Sequence, residues 1–189
     1  MKPFQSFTMV KQPLEEVWMI MRDRLPEIAA SMEDLESIEI IERTIESNGR
    51  LRLLNRWRAK QQIPTMLQGK LGASTVYWLD RALWDNNTHV CTWSIEPSVL
   101  PGHIECCGIT TYTSAMAGRG TKVTFEGYFN LKSGFLEGLP VSLELALTGF
   151  VEMIVSSLIP RNLSRAIASA SDLISSTKSD NFNSSQPSK

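Results

Sequence analysis

Hydrophobic and polar residues alternate along much of the chain before residue 133, which is typical of strands that bury one face. Residues 88–97 and 121–132 show this alternation, and residues 50–60 show it most clearly. In residues 50–60, arginines share one parity and mostly apolar side chains share the other. The pattern predicts an antiparallel sheet with one apolar face that other elements must cover.

Short polar turn sequences divide the strand-like runs into hairpins. Ser47-Asn48-Gly49 contains the Asn-Gly pair that is the strongest short hairpin signal. Asn86-Asn87 and the sequence AGRG at 117–120 separate two further pairs of runs. The predicted strands are residues 3–10, 35–46, 50–60, 74–85, 88–97, 102–116 and 121–132.

Helical periodicity replaces the alternation in two places. Residues 11–32 are predicted to form one or two short helices, with Pro13 at a helix start and acidic residues in the first turn. Near the C-terminus, an apolar stripe at helical spacing is interrupted by Pro160 and then resumes. We expect a long amphipathic C-terminal helix, bent near Pro160, that covers the sheet. The stripe consists of Leu143, Leu147, Phe150, Ile154, Leu158, Leu163, Ile167, Ala170 and Ile174.

The same C-terminal segment is long enough for a membrane span, but its composition opposes one. A helix over residues 139–159 is about 31 Å long, which matches the hydrocarbon core of a bilayer. Glu144 and Glu152 lie within it, and each ionised group near the midplane opposes insertion by roughly 3 kcal/mol. We expect no stable membrane insertion.

Length, charge and cysteine content narrow the class of protein. A chain of 189 residues with 42% hydrophobic residues fits one domain, expected at residues 1–176, followed by a disordered polar tail at 177–189. The net charge of -1 lacks the basic excess of a nucleic-acid-binding protein, so no nucleic acid partner is expected. Three cysteines and an N-terminus without an apolar signal segment favour free thiols and a cytoplasmic location.

The order of elements and several short motifs resemble the START-like helix-grip superfamily (SRPBCC), which includes birch-pollen-allergen-like and polyketide cyclase/dehydrase-like proteins. The motifs are VKQPLEEVWMIMRD at 10–23, ESIEIIER at 36–43 and GTKVTFEGYF at 120–129. The resemblance implies an α+β fold in which a curved antiparallel sheet of about seven strands wraps around a long C-terminal helix, with two short helices after the first strand. It also implies an apolar cavity between that sheet and that helix.

A looser similarity links RWRAKQQIPTMLQGKLGASTVYWLD, at 56–80, to the PRELI-like lipid-transfer proteins. Within this stretch, residues 61–73 are irregular and mix apolar residues with glycines and polar residues. In helix-grip proteins such a loop often lies at the cavity mouth, so it is a candidate lid or point of transient membrane contact. A surface loop packed by its own side chains explains the pattern equally well.

The candidate ligand-binding residues are those that strand parity or helical face directs into the predicted interior. Aromatic side chains predominate among them, and the alternative is that these rings simply fill a core. The predicted cavity-lining set is Leu53, Asn55, Trp57, Trp78, Cys91, Trp93, Tyr112, Phe125, Phe129, Leu143, Leu147, Phe150 and Ile154.

Two polar side chains on the inward parity are candidates for chemistry. Asn55 lies between Leu53 and Trp57, where a buried amide needs partners and is a candidate to fix the polar end of a ligand. An amide bonded to the backbone or to water is the more common case. Asp80 shares the parity of Trp78 and is a candidate carboxylate for acid–base work. No residue is assigned a catalytic role.

No motif predicts a metal ion or a cofactor. In HIECC at 103–107, adjacent strand residues point to opposite faces, so His103, Glu105 and the two thiols do not converge on one ion. The glycine-containing turns lack the spacing of a phosphate-binding loop. We expect neither a metal site nor a cofactor.

Together these observations favour the binding or transport of a hydrophobic small molecule or lipid by a protein that is not an enzyme. One alternative is a polyketide cyclase/dehydrase-like enzyme that uses the same cavity. The other is an interaction domain with a filled core and no ligand.

Overall fold

The computed structural model describes residues 2–132, 140–153, 157 and 159–184. They form an open antiparallel sheet of seven strands, together with helices between and after the strands. A turn of 3₁₀ helix, Met116–Gly118, precedes the last strand. The elements are β1 (Lys2–Val10), α1 (Leu14–Asp23), α2 (Leu25–Ala29), β2 (Leu35–Ile45), β3 (Leu51–Gln62), α3 (Thr65–Leu71), β4 (Thr75–Asp85), β5 (Val90–Pro97), β6 (Ile104–Ala115), β7 (Gly120–Leu131), α4 (Val141–Met153) and α5 (Ile159–Ser184).

The strands follow one another in space almost as they do in sequence. The order across the sheet is β1-β7-β6-β5-β4-β3-β2, and every neighbouring pair is antiparallel. Strand β1 departs from the sequential order by pairing with β7, which leaves β1 and β2 at the two edges. The predicted α+β fold, its strands and the two short helices after β1 are confirmed.

The first hairpin shows how local sequence sets the register. Gly49 has a φ of 83°, in the left-handed region that favours glycine. Its backbone N–H donates to the Glu46 carbonyl at 2.9 Å, and Asn48 Oδ1 accepts a 3.0 Å bond from the N–H two residues later. The turn places Ile45 opposite Leu51, as the Asn-Gly signal predicts.

The inward face of the sheet follows the predicted alternation. On β3, side chains from Leu51 to Ala59 alternate between buried and more exposed positions. On β5, the same alternation runs from Cys91 to Pro97. The apolar side chains of these strands therefore point to the side that the helices cover.

A pair of glycines makes room for one indole on this inward face. Gly108 and Gly127 lie opposite each other on β6 and β7. A Cβ at Gly108 would lie 2.7 Å from Trp93 Cζ2 and 2.1 Å from the Glu126 carbonyl oxygen, so only glycine fits. Trp93 Nε1 donates a 3.0 Å bond to Thr110 Oγ1, which fixes the ring in this position.

Helix α1 covers part of the inward face through a single tryptophan. Trp18 is 2% exposed, and its ring meets Trp84 edge-on at 4.9 Å and Tyr112 at 5.1 Å between centroids. Its Nε1 donates a 2.9 Å bond to Asn86 Oδ1, in the turn after β4. The C-terminal helix alone was expected to cover the sheet, and the structure shows that α1 covers part of it as well.

Helix α5 packs against α1, α2 and β1. Near its start, Arg161 pairs with Asp34 at 3.1 Å, and Arg165 pairs with the same carboxylate. These ion pairs tie α5 to the segment before β2. The side chains that confirm the second half of the predicted stripe by their burial are Ile167, Ala170 and Ile174.

The C-terminal helical segment is described in two parts, α4 as far as Met153 and α5 from Ile159. Most of the residues between these parts lie outside the described ranges, so a single helix bent near Pro160 stays a prediction. Helix α4 contacts α3. Ile154 and Leu158 of the predicted stripe lie outside the described residues.

Residues 61–73 contain a helix where an irregular loop was expected. Helix α3 ends at Leu71 and is capped by Gly72, whose φ of 64° lies in the left-handed region. Ile63 and Leu67 are each 1% exposed, whereas Met66 is 63% exposed. Because most of the apolar surface of this stretch is turned inward, little of it is free to touch a membrane.

The described C-terminal part is helical as far as Ser184. This helix runs into the stretch, 177–189, for which composition predicts disorder, and that disorder stays a prediction. None of the helices in the described ranges combines the length and apolar character that a membrane crossing requires.

Candidate functional site

A cavity lies between the inward face of the sheet and helices α1, α2 and α5. Strands β3 to β7 form its floor, while Met21, Leu25 and Asn162 close it from the three helices. Aliphatic and aromatic side chains predominate in its wall. The lining residues are Met21, Leu25, Trp57, Trp78, Asp80, Ala82, Trp84, Cys91, Trp93, Ile95, Thr110, Tyr112, Phe125 and Asn162.

Indole rings give the floor of the cavity its shape. Trp57 and Trp78 are register partners on β3 and β4, and their rings stack at 5.9 Å with an interplanar angle of 18°. Further along β4, the Trp84 ring lies 6.1 Å from that of Tyr112. The floor is therefore built of large flat side chains held by one another.

The enclosed space is narrow. The space that can hold the centre of a water molecule measures about 40 Å³. All of the atom-free space in the cavity measures about 550 Å³, which includes solvent at the mouth. By the first measure, about 10–15 Å³ holds one water. The smaller value describes the enclosed space, because the larger one extends outside the walls. A ligand much larger than a few water molecules therefore enters only if wall side chains move apart.

Asp80 places a carboxylate in this largely apolar wall. Asn55 Nδ2 donates to Asp80 Oδ2 at 3.1 Å, and Trp57 Nε1 donates to the same oxygen at 3.3 Å. Burial raises the pKa of Asp80 to about 6, although both hydrogen bonds lower it. Asp80 is half-buried by surface area, because the surface that it exposes lines the cavity.

Two further titratable groups face Asp80. Burial, and then the charge of Asp80, raises the pKa of the Cys91 thiol well above its ordinary value. Burial, followed by the charges of Cys91 and Asp80, raises the pKa of Tyr112 in the same direction. Both groups stay neutral near neutral pH, so Asp80 carries the charge that changes there.

Some buried polar atoms of the wall lack partners. Asn162 is 1% exposed, and within the described structure neither its Nδ2 nor its Oδ1 makes a hydrogen bond. Trp84 Nε1 is also buried and makes no hydrogen bond within the described structure. Buried polar atoms in native proteins are almost always paired, so these atoms mark where a polar group of a ligand would be favourable.

Part of the predicted set lines this cavity, and whether these residues bind a ligand stays a prediction. The structure brings together Trp57, Trp78, Cys91, Trp93, Tyr112 and Phe125.

The remaining predicted residues do not line this cavity. Leu53, Asn55 and Phe129 are buried in the sheet, where neighbouring side chains cover them. Asn55, which was a candidate to hold a ligand, donates from Nδ2 to Asp80, and its role toward a ligand stays a prediction. Residues from α4 are absent because α4 lies beside α3 and leaves the described wall to α5. These residues are Leu143, Leu147 and Phe150. Ile154 lies outside the described residues.

Other lining residues were not among the predicted ones, for two different reasons. Ala82 and Trp84 share the parity of Trp78, Ile95 shares that of Trp93, and their pattern was a usable signal. The helical lining residues carry no local signal in the sequence, because tertiary packing decides which part of the sheet a helix faces. These residues are Met21, Leu25 and Asn162.

No group of three or more His, Cys, Asp or Glu side chains is arranged to hold a metal ion in the ranges that the structure describes. Glu105, from the HIECC sequence, pairs with Lys132 at 2.9 Å.

No protein-family model matches the sequence, and no curated protein matches it significantly. Solved structures do match. Zhui aromatase/cyclase from Streptomyces sp. R1128 has a TM-score of 0.62 at 16% identity, covering 89% of this chain and 93% of that one. A protein from Thermus thermophilus has a TM-score of 0.59 at 17% identity, covering 93% and 98%. Ara h 8.0201 has a TM-score of 0.54 at 15% identity, covering 92% and 97%.

The chain therefore has the helix-grip fold that its motifs implied. At these identities the similarity shows the fold alone, and function has to be argued from the cavity.

Proposed function

We propose that this protein binds a small, mostly apolar molecule in the cavity between the sheet and helices α1, α2 and α5. The observation that carries the proposal is the wall, in which aromatic and aliphatic side chains from strands and helices surround one cavity. Voids larger than a water molecule are few in protein cores, and an apolar cavity with a few polar groups is the usual form of a ligand site. The shared fold with an aromatase/cyclase and with Ara h 8.0201 supports the same proposal.

The size of the cavity favours a small ligand over a long lipid. A ligand that hides roughly 300 Å² of apolar surface gains about 7 kcal/mol before entropic losses, which suits micromolar binding. The enclosed volume of about 40 Å³ must grow to hold such a ligand. Transport of a lipid is the extreme case of the same proposal and demands the largest movement of the wall.

A cavity-filling variant tests the proposal. Ala82 lies on the floor, so Ala82→Met places extra atoms inside the cavity, while Ala168→Met makes the same change at an exposed position of α5. Native mass spectrometry of freshly purified protein detects a co-purifying ligand, and calorimetry with n-hexanol measures binding of a neutral apolar probe. We expect Ala82→Met to lose the ligand and at least about tenfold in probe affinity. Equal affinities for both variants and the wild type contradict a site in this cavity.

Acid–base catalysis is a second candidate function, and Asp80 is the observation that favours it. A carboxyl whose pKa is raised to about 6 by burial suits proton transfer near neutral pH. The masses of ligands bound to wild type and to Asp80→Asn separate catalysis from binding. A changed mass, such as an unconverted precursor retained by Asp80→Asn, supports an enzyme of the cyclase/dehydrase kind. Identical ligands in both proteins support a binding protein.

If wild type carries no ligand and binds no apolar probe, the alternative of a ligand-free interaction domain is supported.

A cytoplasmic location belongs to the proposal as well, supported by three free cysteines, which are usual in a reducing compartment. Transient membrane contact through 61–73 would rest on Met66, which is exposed.

A further inference from the structure

Asp80 places a carboxylate in the wall of the cavity that has no positively charged partner among the described residues. In the part of the chain that the structure describes, the hydrogen-bond donors to Asp80 are the neutral side chains of Asn55 and Trp57. No lysine, arginine or histidine from the described ranges pairs with it, and Cys91 and Tyr112, which face it, are neutral groups. An ionised carboxylate enclosed without a counter-charge is unfavourable, and a cation that enters beside it removes that cost.

The surroundings of this carboxylate are the ones that favour an organic cation. Indole and phenol rings attract cations through their electron-rich faces, most strongly when water is excluded. Trp57, Trp78, Trp84, Trp93 and Tyr112 all line the same enclosed space as Asp80. A bare metal ion would find few oxygen ligands here, whereas an ammonium group on an apolar body matches both the charge and the walls.

Helix α5 supplies a polar group to the same space. Asn162 Oδ1 is a buried acceptor without a partner in the described structure, and an ammonium N–H is a donor that satisfies it. Asp34 anchors α5 through Arg161 and Arg165, so both of these nearby cations are engaged outside the cavity. Asn162 is therefore held over the floor while no arginine of this turn neutralises Asp80.

We infer that the ligand of the cavity is a small molecule that carries an ammonium group on an apolar body, with Asp80 pairing the charge and the aromatic wall contacting the rest. This inference rests on the proposed function and names the chemical class of its ligand. The ammonium group belongs to a free amine or to a lipid headgroup such as ethanolamine, both of which carry N–H donors, and the narrow cavity favours the free amine.

A matched pair of probes tests the inference. n-Hexylamine and n-hexanol have the same chain, but the amine is a cation at about pH 7.5, as lysine is. Calorimetry with wild type, Asp80→Asn and Asp85→Asn separates the effects, because Asp85 is a carboxylate of the same strand that does not line the cavity. We expect wild type and Asp85→Asn to prefer the amine by about tenfold or more, and Asp80→Asn to lose the preference. In wild type the preference for the amine should also shrink as the pH falls below about 6, where Asp80 becomes neutral. This pH experiment uses wild type alone, so it does not require any variant to fold.

The outcomes distinguish this inference from the proposed function. If wild type binds hexanol as tightly as hexylamine, the ammonium inference is wrong while the apolar site stands. If neither probe binds, both are wrong. Vesicles of phosphatidylglycerol with and without phosphatidylethanolamine form a further arm. Extraction of phosphatidylethanolamine alone, with loss in Asp80→Asn, identifies the source as a lipid headgroup, whereas an amine preference without lipid extraction identifies a free amine.

Discussion

Asn55 Nδ2 lies 3.1 Å from Asp80 Oδ2, across the pairing of β3 with β4. Trp57 Nε1 donates to the same oxygen from the same strand as Asn55. These two bonds favour the ionised carboxylate, whereas burial favours the neutral acid, and burial prevails. The charge state of the cavity near neutral pH depends on that balance.

Removing the Asn55 donor shifts this balance toward the neutral acid. In Asn55→Leu the amide that stabilises the charged form is gone, so we expect the pKa of Asp80 to rise above its value of about 6. Carboxyl ¹³C NMR of aspartate-labelled protein follows the titration directly. Asn87→Ala, in an exposed turn, is the control and should leave the pKa unchanged. An unchanged or lower pKa in Asn55→Leu contradicts the assigned bond.

The raised pKa of Asp80 also makes stability depend on pH. The pKa is raised from 3.8 to about 6 on folding, so the folded protein binds this proton more tightly than the unfolded chain. The resulting stabilisation is complete below about pH 4 and is lost as the pH rises through about 6. Asp80→Asn keeps an oxygen that accepts both hydrogen bonds and does not titrate.

We therefore expect the free energy of unfolding of wild type, relative to Asp80→Asn, to fall by about 2.5 kcal/mol between about pH 4 and pH 7.5. Urea denaturation of both proteins across this range measures the difference, and the comparison cancels the titration of other groups. A difference that stays constant with pH would show that the carboxyl has an ordinary pKa.

The glycine pair beneath Trp93 should tolerate no side chain. A Cβ at Gly108 meets the Glu126 carbonyl oxygen at 2.1 Å, and backbone cannot move aside as a side chain does. We expect Gly108→Ala to lower the free energy of unfolding by about 3 kcal/mol. In Gly149→Ala, at an exposed position of α4 with nothing within 4 Å, the same change should stabilise by up to about 1 kcal/mol. Similar effects in both variants, measured by thermal or chemical denaturation, are inconsistent with this packing.

Trp18 should couple α1 to the turn after β4. Trp18→Phe removes the donor to Asn86 Oδ1 and part of a buried ring, and we expect a loss of about 2 kcal/mol in the free energy of unfolding. Asn86→Ala removes the acceptor of the same bond. The double variant should therefore lose less than the sum of the two single losses. Additive losses would mean that the bond contributes nothing.

The strands and turns were predictable because their signals are local. The hairpin at Gly49 and the alternation along β3 and β5 depend on residues close in sequence. Helix α3 was not predictable in the same way, since its sequence, TMLQGKL, holds a glycine and too few turns to establish a periodicity. The predicted bend near Pro160 stays a prediction, because most of the residues that join α4 to α5 lie outside the described ranges.

The strand residues that form the floor of the cavity were predictable from the sequence, whereas the helical residues that close it were not. Strand parity identified Trp57, Trp78 and Trp93, and it drew attention to Asp80 through Trp78. Parity also directed Asn55 inward, but it does not reveal that the cross-strand neighbour of Asn55 is a carboxylate that accepts a hydrogen bond from its amide.

The most direct test of an apolar ligand site is the ¹H–¹⁵N spectrum of the indole groups during a titration with n-hexanol. The chain has five tryptophans, of which Trp57, Trp78, Trp84 and Trp93 line the cavity and Trp18 does not. We expect saturable shifts at the four cavity indoles, with the smallest change at Trp18. Four cavity signals that stay in place up to the solubility limit of the probe, or changes confined to signals from outside the cavity, would contradict the account.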